Sequence, residues 1–250
     1  MNWEKLLKEN KILNGKKGFR DLYECFSNFY KHRTISIMLP YKKENAILYQ
    51  ANDVETLFQA AKSNDHIFIQ RIINSKFPSE AKRIGRYIKL REDWELIKEE
   101  VMKELVRKKF EAVPGFKQLL MDIPDDIIIA EFNTWNDKEW GVCSKTLIGK
   151  NKLGNILMEL RKEFIKKEYE DNYFNLKKVF IFEVKNVIKN YKKEFENELK
   201  EDYVLDFDKL FDYYYYDVEP IEFNIFNNKE LIEFIKKYIK NNKYRKDKND

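Results

Sequence analysis

The stretch Asn52–Lys62, NDVETLFQAAK, carries two interleaved lines of residues. Val54, Leu57, Phe58 and Ala61 stand at i, i+3, i+4 and i+7, the stripe of a helix that faces a core. Glu55, Gln59 and Lys62 repeat that spacing one residue later, about 100° around the helix, so they are expected to border the core rather than point away from it. With a rise of about 1.5 Å per residue, Glu55 and Lys62 lie about 10 Å apart along the axis. That is too far for a direct ion pair and suits two groups that flank a bound molecule. A purely structural reading competes: with Asn52 as N-cap, Glu55 takes the N3 position of a capping box and Lys62 is a solvated surface lysine.

Working outward, RTISIML and NAILYQ upstream read as short strands, and DDIIIAEF, with three successive isoleucines, reads as the clearest strand of the chain. Helices are expected after Pro78, from Trp94 through Ile97, Val101 and Leu105, after Pro114-Gly115, and through Leu153, Ile156, Leu157 and Leu160. The first part is therefore α+β, mostly helical with a few short strands. All seven glycines fall between Gly15 and Gly154, and four of the five prolines precede Asp125, so turn punctuation stops about two thirds of the way along. Beyond it, Phe180, Val184, Val187, Tyr191, Phe195 and Leu199 alternate in steps of three and four, and Leu231, Phe234, Ile235 and Tyr238 do the same. We expect one domain over residues 1–165 and a small lysine- and aromatic-rich helical extension over 166–250. Its DYYYYDVEP run is read as a packed seam in preference to a partner-binding patch, and its NNKYRKDKND end as a disordered tail.

Composition narrows the function classes. A hydrophobic share of 43% excludes an intrinsically disordered chain, and 36% charged residues give an ionic surface. No apolar run approaches the roughly 20 residues that span a bilayer, and MNWEKLLKEN has no apolar signal region, so a soluble cytoplasmic protein without membrane contact is expected. Cys25 and Cys143, with His32 and His66, lack metal-ligand spacing, so neither metal nor cofactor is expected. The net charge of +5 concentrates early, with 30 Lys and Arg against 24 Asp and Glu up to Phe164 and 18 against 19 beyond. Acidic partners such as nucleotides or nucleic acid suit that bias.

The helix also keeps particular company. Ser27-Asn28-Phe29 precedes it; Gly85-Arg86 and Trp94 follow; then come Asp137-x-x-Trp140-Gly141 and Gly149-x-Asn151-x-Leu153-Gly154. This ordered series, from about Phe19 to Arg161, resembles the NADAR (YbiA-like) family of N-glycosidases, in which a Glu-x-x-x-Gln-x-x-Lys pattern matches Glu55, Gln59 and Lys62. Two departures stand out: Thr56 occupies a place where the family usually has an aromatic residue or His, and the region after Arg161 has no counterpart.

The resemblance implies cleavage of a bond between a ribosyl carbon and a base nitrogen. Positive charge then builds on the sugar, which calls for carboxylates to stabilise it, activate water or protonate the leaving group. Glu55 and Asp137 are the candidates, with Glu131 a third that has the alternative of bonding backbone amides of its loop. Lys62 could attack a ring-opened sugar as a Schiff-base nucleophile or meet phosphate as a point charge. Trp94, Trp135 and Trp140 offer flat faces for a base, Trp140 foremost, with core packing on its helical stripe the equal alternative for Trp94. Ser27, Asn28, Phe29 and Gln59 join the substrate-binding set, with Asn28 orienting ribose hydroxyls and Arg20, Arg86 and Lys150 facing phosphates. Gly149, Lys150 and Asn151 open a helix, a natural anion site. Two substrates are implied: ADP-ribose on guanine in DNA or RNA, with a genetic pairing to a DNA ADP-ribosyltransferase toxin, or phosphorylated ribosylamino-pyrimidines of riboflavin biosynthesis. The rival from another class is a module that binds ADP-ribose without cleaving it.

Overall fold

The computed structural model describes residues 1–196, 205–217 and 228–246. They fall into two compact units, residues 1–166 and 167–250.

In the first unit, β1 (Ile35–Leu39) and β2 (Ile47–Ala51) form an antiparallel hairpin with Ile37 opposite Tyr49. Alternation sorts its faces: Ile35, Ile37, Leu39 and Tyr49 are buried, while Met38 and Leu48 are exposed. The chain then enters α2 (Val54–Ala60), which packs against α3 (His66–Ile73), α4 (Pro78–Gly85), α5 (Trp94–Ala112) and β2. Surrounded in this way, α2 is buried along its whole length. Its N-cap is Asp53 rather than Asn52: the Asp53 carboxylate accepts the Thr56 N–H at 2.7 Å, so Glu55 is not the N3 residue of a capping box.

Helix α5 buries Trp94, Val101, Met102, Leu105, Val106 and Phe110 and meets β1, α2 and α6 (Pro114–Met121). The proline at the first position of both α4 and α6 fits there because that N–H has no helical partner. The start of α7 (Lys152–Asn190) closes the core with Leu153, Leu157, Leu160 and Phe164.

The expected strand over DDIIIAEF does not form as such. Ile128 makes one parallel bridge to Ile12, and only β3 (Phe132–Asn133) pairs with β4 (Val142–Cys143). The extended backbone between them finds other partners: Asn151 receives the Glu131 N–H at 3.1 Å and donates to the Ile129 carbonyl at 2.8 Å. Side-chain hydrogen bonds thus replace a sheet neighbour. Helix α1 (Trp3–Lys8) covers this segment, with Trp3 edge-on to Phe132.

The second unit is helical, built from the latter part of α7, α8 (Phe207–Asp217) and α9 (Asn228–Lys246). Phe180, Val184, Val187, Phe195, Leu210, Phe211, Tyr214, Ile235 and Ile239 form its core. The tyrosine run is a seam as expected, with Tyr214 stacked on Phe180 and Tyr213 on Phe234. Tyr191 is exposed at the end of α7, and Leu199 and Val218 to Pro220 lie outside the described residues. Asn241 to Lys246, expected to be disordered, continue α9, and residues 247–250 lie outside the description. No described helix is long and apolar enough to cross a membrane.

Candidate active site

The helix α2 polar line proves to be more deeply buried than its spacing suggests. Glu55 and Gln59 are 5% and 4% exposed, and Lys62, just past the helix end, is half-buried. Gln59 donates from Nε2 to Glu55 Oε1 at 2.8 Å and so fixes that carboxylate. Its own carbonyl lies against Gly85, where a Cβ would stand 2.1 Å from Oε1. The glycine of the Gly85-Arg86 pair is there because Gln59 needs the space. On the other side, the Glu55 N–H donates to the Asn28 carbonyl at 3.1 Å, which ties the Ser27–Phe29 segment to the start of α2.

Beneath that segment lies Lys109 of α5, fully buried, donating from Nζ to the Ser27 carbonyl at 2.9 Å. Burial holds its ammonium down at about 7, with Cys25 and Asp53 pulling the other way. Lys109 is thus a positioning residue, remote from solvent.

A cleft of about 230 Å³ opens between this segment and the β3 loop; Arg20, Ser27, Phe29, Tyr30, Glu131 and Trp135 are on its walls. Glu131 belongs both to the cleft and to a charge cluster assembled from four stretches of chain. Desolvation, then the nearby Asp137 carboxylate, pushes Glu131 up to about 8, with Lys82 opposing and Glu55 adding. Burial also raises Glu55, against Lys82, the Gln59 hydrogen bond and Lys62. Burial lowers Lys62, which Glu55 pulls back up while Lys82 and Arg86 push it further down. Three carboxylates and two lysines therefore share one electrostatic neighbourhood, the arrangement in which neighbouring groups drive each other's protonation apart.

The loop after β3 is held rigidly. Asp137 Oδ1 accepts the N–H groups of Glu139 and Trp140 at 3.1 and 3.0 Å, and Asn133 brackets Asp137 through both its backbone N–H and carbonyl. Glu139 gathers Lys98, Lys150 and Lys152, which pull its carboxyl down to about 2 and clamp the loop to α5 and α7. Gly141 has no room for a side chain, since a Cβ would meet the Glu131 carbonyl at 2.3 Å.

Several expected contacts are relocated by these facts. Arg20, Ser27 and Phe29 do line the cleft, and Arg86 is exposed near Lys62. Asn28 is buried, with its amide N–H on Met102 sulfur at 3.3 Å, and its backbone carbonyl accepts the Glu55 N–H. Gln59 is buried too, and its amide N–H orients Glu55. Trp94 is a core residue, 4% exposed and packed on Phe58; Trp140 is half-buried and edge-on to the same ring. Asn151 is 1% exposed and spends both amide groups on the Ile129–Glu131 backbone.

Gly149, Lys150 and Asn151 do not form an anion site. The amides of Lys150, Asn151, Lys152 and Leu153 donate to the carbonyls of Lys138, Gly141, Glu139 and Trp140, and Lys150 Nζ is paired with Glu139 at 2.7 Å. Gly149 is small because its Cβ would meet the Gly141 carbonyl at 2.1 Å. Glu131 bonds no loop amides through its carboxylate; that task falls to Asp137. Sequence reasoning missed Lys82, which joins the cluster from α4 with its Nζ 5.2 Å over Phe29, and it passed over Tyr30. Periodicity carries no signal for Lys82; the AKRIGR stretch marks only a helix turn. Among the described residues no group of three His, Cys, Asp or Glu is placed to hold a metal ion.

The arrangement has relatives of known name. An N-glycosidase of Nostoc punctiforme is 35% identical over 146 residues, which is 56% of this chain and 85% of that protein. The NMR structure of the Escherichia coli protein YbiA matches with a TM-score of 0.50 at 33% identity, covering 61% of this chain and 84% of that one. A maize chloroplastic riboflavin biosynthesis protein, PYRR, is 31% identical over 157 residues, 58% of this chain and 24% of its own length. The model of the NADAR domain matches residues 16–165, the stretch that contributes every residue of the cleft and the charge cluster. This chain belongs to the NADAR domain family.

Proposed function

We propose that the chain is an N-glycosidase that hydrolyses a bond between ribose C1′ and a base nitrogen, and that its substrate is ADP-ribose joined to guanine in nucleic acid. Glu131 carries this reading. A carboxyl on the wall of a cleft, held protonated at neutral pH by desolvation and by Asp137, is the acid that a leaving base requires. As the C1′–N bond breaks, its electron pair goes to the base and the Glu131 proton follows. The charge on the sugar is offset by the field of Asp137 and Glu55, which share Glu131's electrostatic neighbourhood, and water adds to C1′, its proton returning to Glu131.

Lys62 supports this cleavage either as a cation meeting phosphate or as an amine that captures the ring-opened aldehyde as a Schiff base. Borohydride treatment during turnover separates the two, since only the Schiff base leaves the sugar bound to Lys62. Phe29 and Trp135, 40% and 58% exposed, offer ring faces to the base.

The test is release of free ADP-ribose from guanine-ADP-ribosylated DNA by wild type, beside Glu131→Gln and Lys62→Ala at matched folded concentration. Release by wild type and its loss in Glu131→Gln support the reading; binding without release would make the chain an ADP-ribose-binding module. The likeness to a relative named for riboflavin biosynthesis favours a second substrate, the phosphorylated ribosylamino-pyrimidines, to be assayed in parallel. Activity on ADP-ribosylated DNA would also place the chain opposite a DNA ADP-ribosyltransferase.

A further inference from the structure

The cleft does not end the aromatic and cationic surface around it. Phe29, on the cleft wall, lies beneath Lys82 Nζ at 5.2 Å. Two residues on, Lys31 Nζ stands 5.8 Å over the ring of Phe77, and Lys76 Nζ stands 5.5 Å over the same ring. Phe77 is 51% exposed, yet it is fixed at the N-cap of α4 directly before Pro78. Rings and ammonium groups therefore alternate outward from the cleft.

The lysines of this surface differ from others in the same unit. Lys11, Lys42, Lys103 and Lys152 are paired with carboxylates, whereas Lys31, Lys76 and Lys82 make no ion pair among the described residues. Glu80, the neighbouring carboxylate, is taken up by the Lys76 backbone N–H at 3.0 Å and by Arg83 at 3.9 Å. What remains is positive charge held in no salt bridge beside exposed ring faces, with Asp53 acting on Lys31 and Glu55 and Glu131 acting on Lys82 only through the wider field.

We infer that this surface, from Phe29 across Lys31 and Lys76 to Phe77, is a track for the single-stranded nucleic acid that flanks the reacting nucleotide. A single strand presents phosphates and unpaired base faces in alternation, and exposed rings interleaved with unpaired cations match both. A duplex has no free base face for Phe77. The inference rests on the reading that the substrate's base belongs to a nucleic acid, and it adds a binding site beyond the cleft.

The experiment uses the full chain and three ligands: an unmodified fluorescent single strand of about 12 nucleotides, the same strand carrying one ADP-ribosylated guanine, and ADP-ribosylated guanosine alone. Wild type is expected to bind the unmodified strand more tightly than the corresponding duplex. Lys31→Ala with Lys76→Ala should flatten the plot of log affinity against log salt by about 0.7 per lysine. Phe77→Ala should weaken strand binding about tenfold, and Phe77→Trp should restore it. Both variants should raise KM for the modified strand while hydrolysing the nucleoside as wild type does.

Equal losses on nucleoside and strand, or wild-type binding of the unmodified strand by both variants, would overturn the track. So would a wild type that binds strand and duplex alike. If wild type leaves the modified nucleoside intact, the catalytic reading fails instead, and the unmodified-strand measurements still decide the track.

Discussion

Among the described residues, every buried polar or charged side chain lies in the first unit: Asn28, Asp53, Glu55, Thr56, Gln59, Ser63, Arg91, Lys109, Asn133, Asn151 and Arg161. The second unit's core is made of aliphatic and aromatic side chains, and its Tyr173–Asp212 and Lys177–Asp208 contacts are at partly exposed positions. Both units obey the same rule that apolar area goes inside. Only one also carries polar groups inside, and burying them is costly unless each is bonded. Arg161 shows the bonded case, donating to the carbonyls of Ile123 and Pro124, as does Asn151. Glu131 shows the other, its carboxyl pushed up to about 8, while burial raises Glu55 even with Gln59 bonded to it and lowers Lys62. The contrast places the candidate catalytic groups in the first unit.

The largest effect that would break this contrast is on chemistry. Glu131→Gln is expected to lower kcat/KM for the ribosyl-base substrate by about 10²–10⁴-fold with thermal stability preserved, measured by product release and calorimetry. Stability close to wild type together with full activity would remove Glu131 from the mechanism. Next comes Gly85→Ala. Its Cβ would displace the Gln59 carbonyl and release Glu55, so activity should fall about 10–100-fold for a destabilisation of about 1–3 kcal/mol. Tyr214→Ala in the second unit should cost a comparable or larger amount of stability, about 3 kcal/mol, and leave kcat unchanged. If both substitutions reduce activity in proportion to stability, the division of roles is wrong.

Lys109 sharpens the comparison through pH. Its folded value lies near 7, below the ordinary lysine value near 10.4, so the neutral form is favoured on folding. The stability that this lends is present above the unfolded value and is lost as pH falls through the folded value. Chemical denaturation of Lys109→Met against wild type should therefore show the variant gaining relative stability from about pH 10 down to about pH 7, by a few kcal/mol, and levelling off below. A pH-independent difference would mean that Lys109 is charged in both states.

Much of the fold was legible because it depends on local chemistry. The α2 stripe, the two strands Ile35–Leu39 and Ile47–Ala51, and the helix starts at Pro78 and Pro114 follow from side-chain period and proline geometry. What escaped depends on distant chain. The DDIIIAEF run has strand propensity, but apart from the Ile12–Ile128 bridge and Phe132 in β3 it bonds to Asn151 and the Lys11 carbonyl rather than to a strand. The start of α7 looks like an anion site until the loop carbonyls of residues 138–141 occupy its amides. Spacing put Glu55, Gln59 and Lys62 in line, but their burial required four other elements to close over α2. Lys82 joins them only through the packing of α4 on α2.

The most direct test of the central claim is the pH dependence of kcat/KM on the ribosyl-base substrate for wild type, with Glu131→Gln alongside. A Glu131 carboxyl held near 8 donates its proton below that value and loses it above, so wild-type activity should be maintained at neutral pH and fall as pH rises through about 8. The residual activity of Glu131→Gln should lack that descending limb. A wild-type profile that stays level through pH 8 to 9, or a limb that persists in Glu131→Gln, would contradict the assignment of Glu131 as the acid.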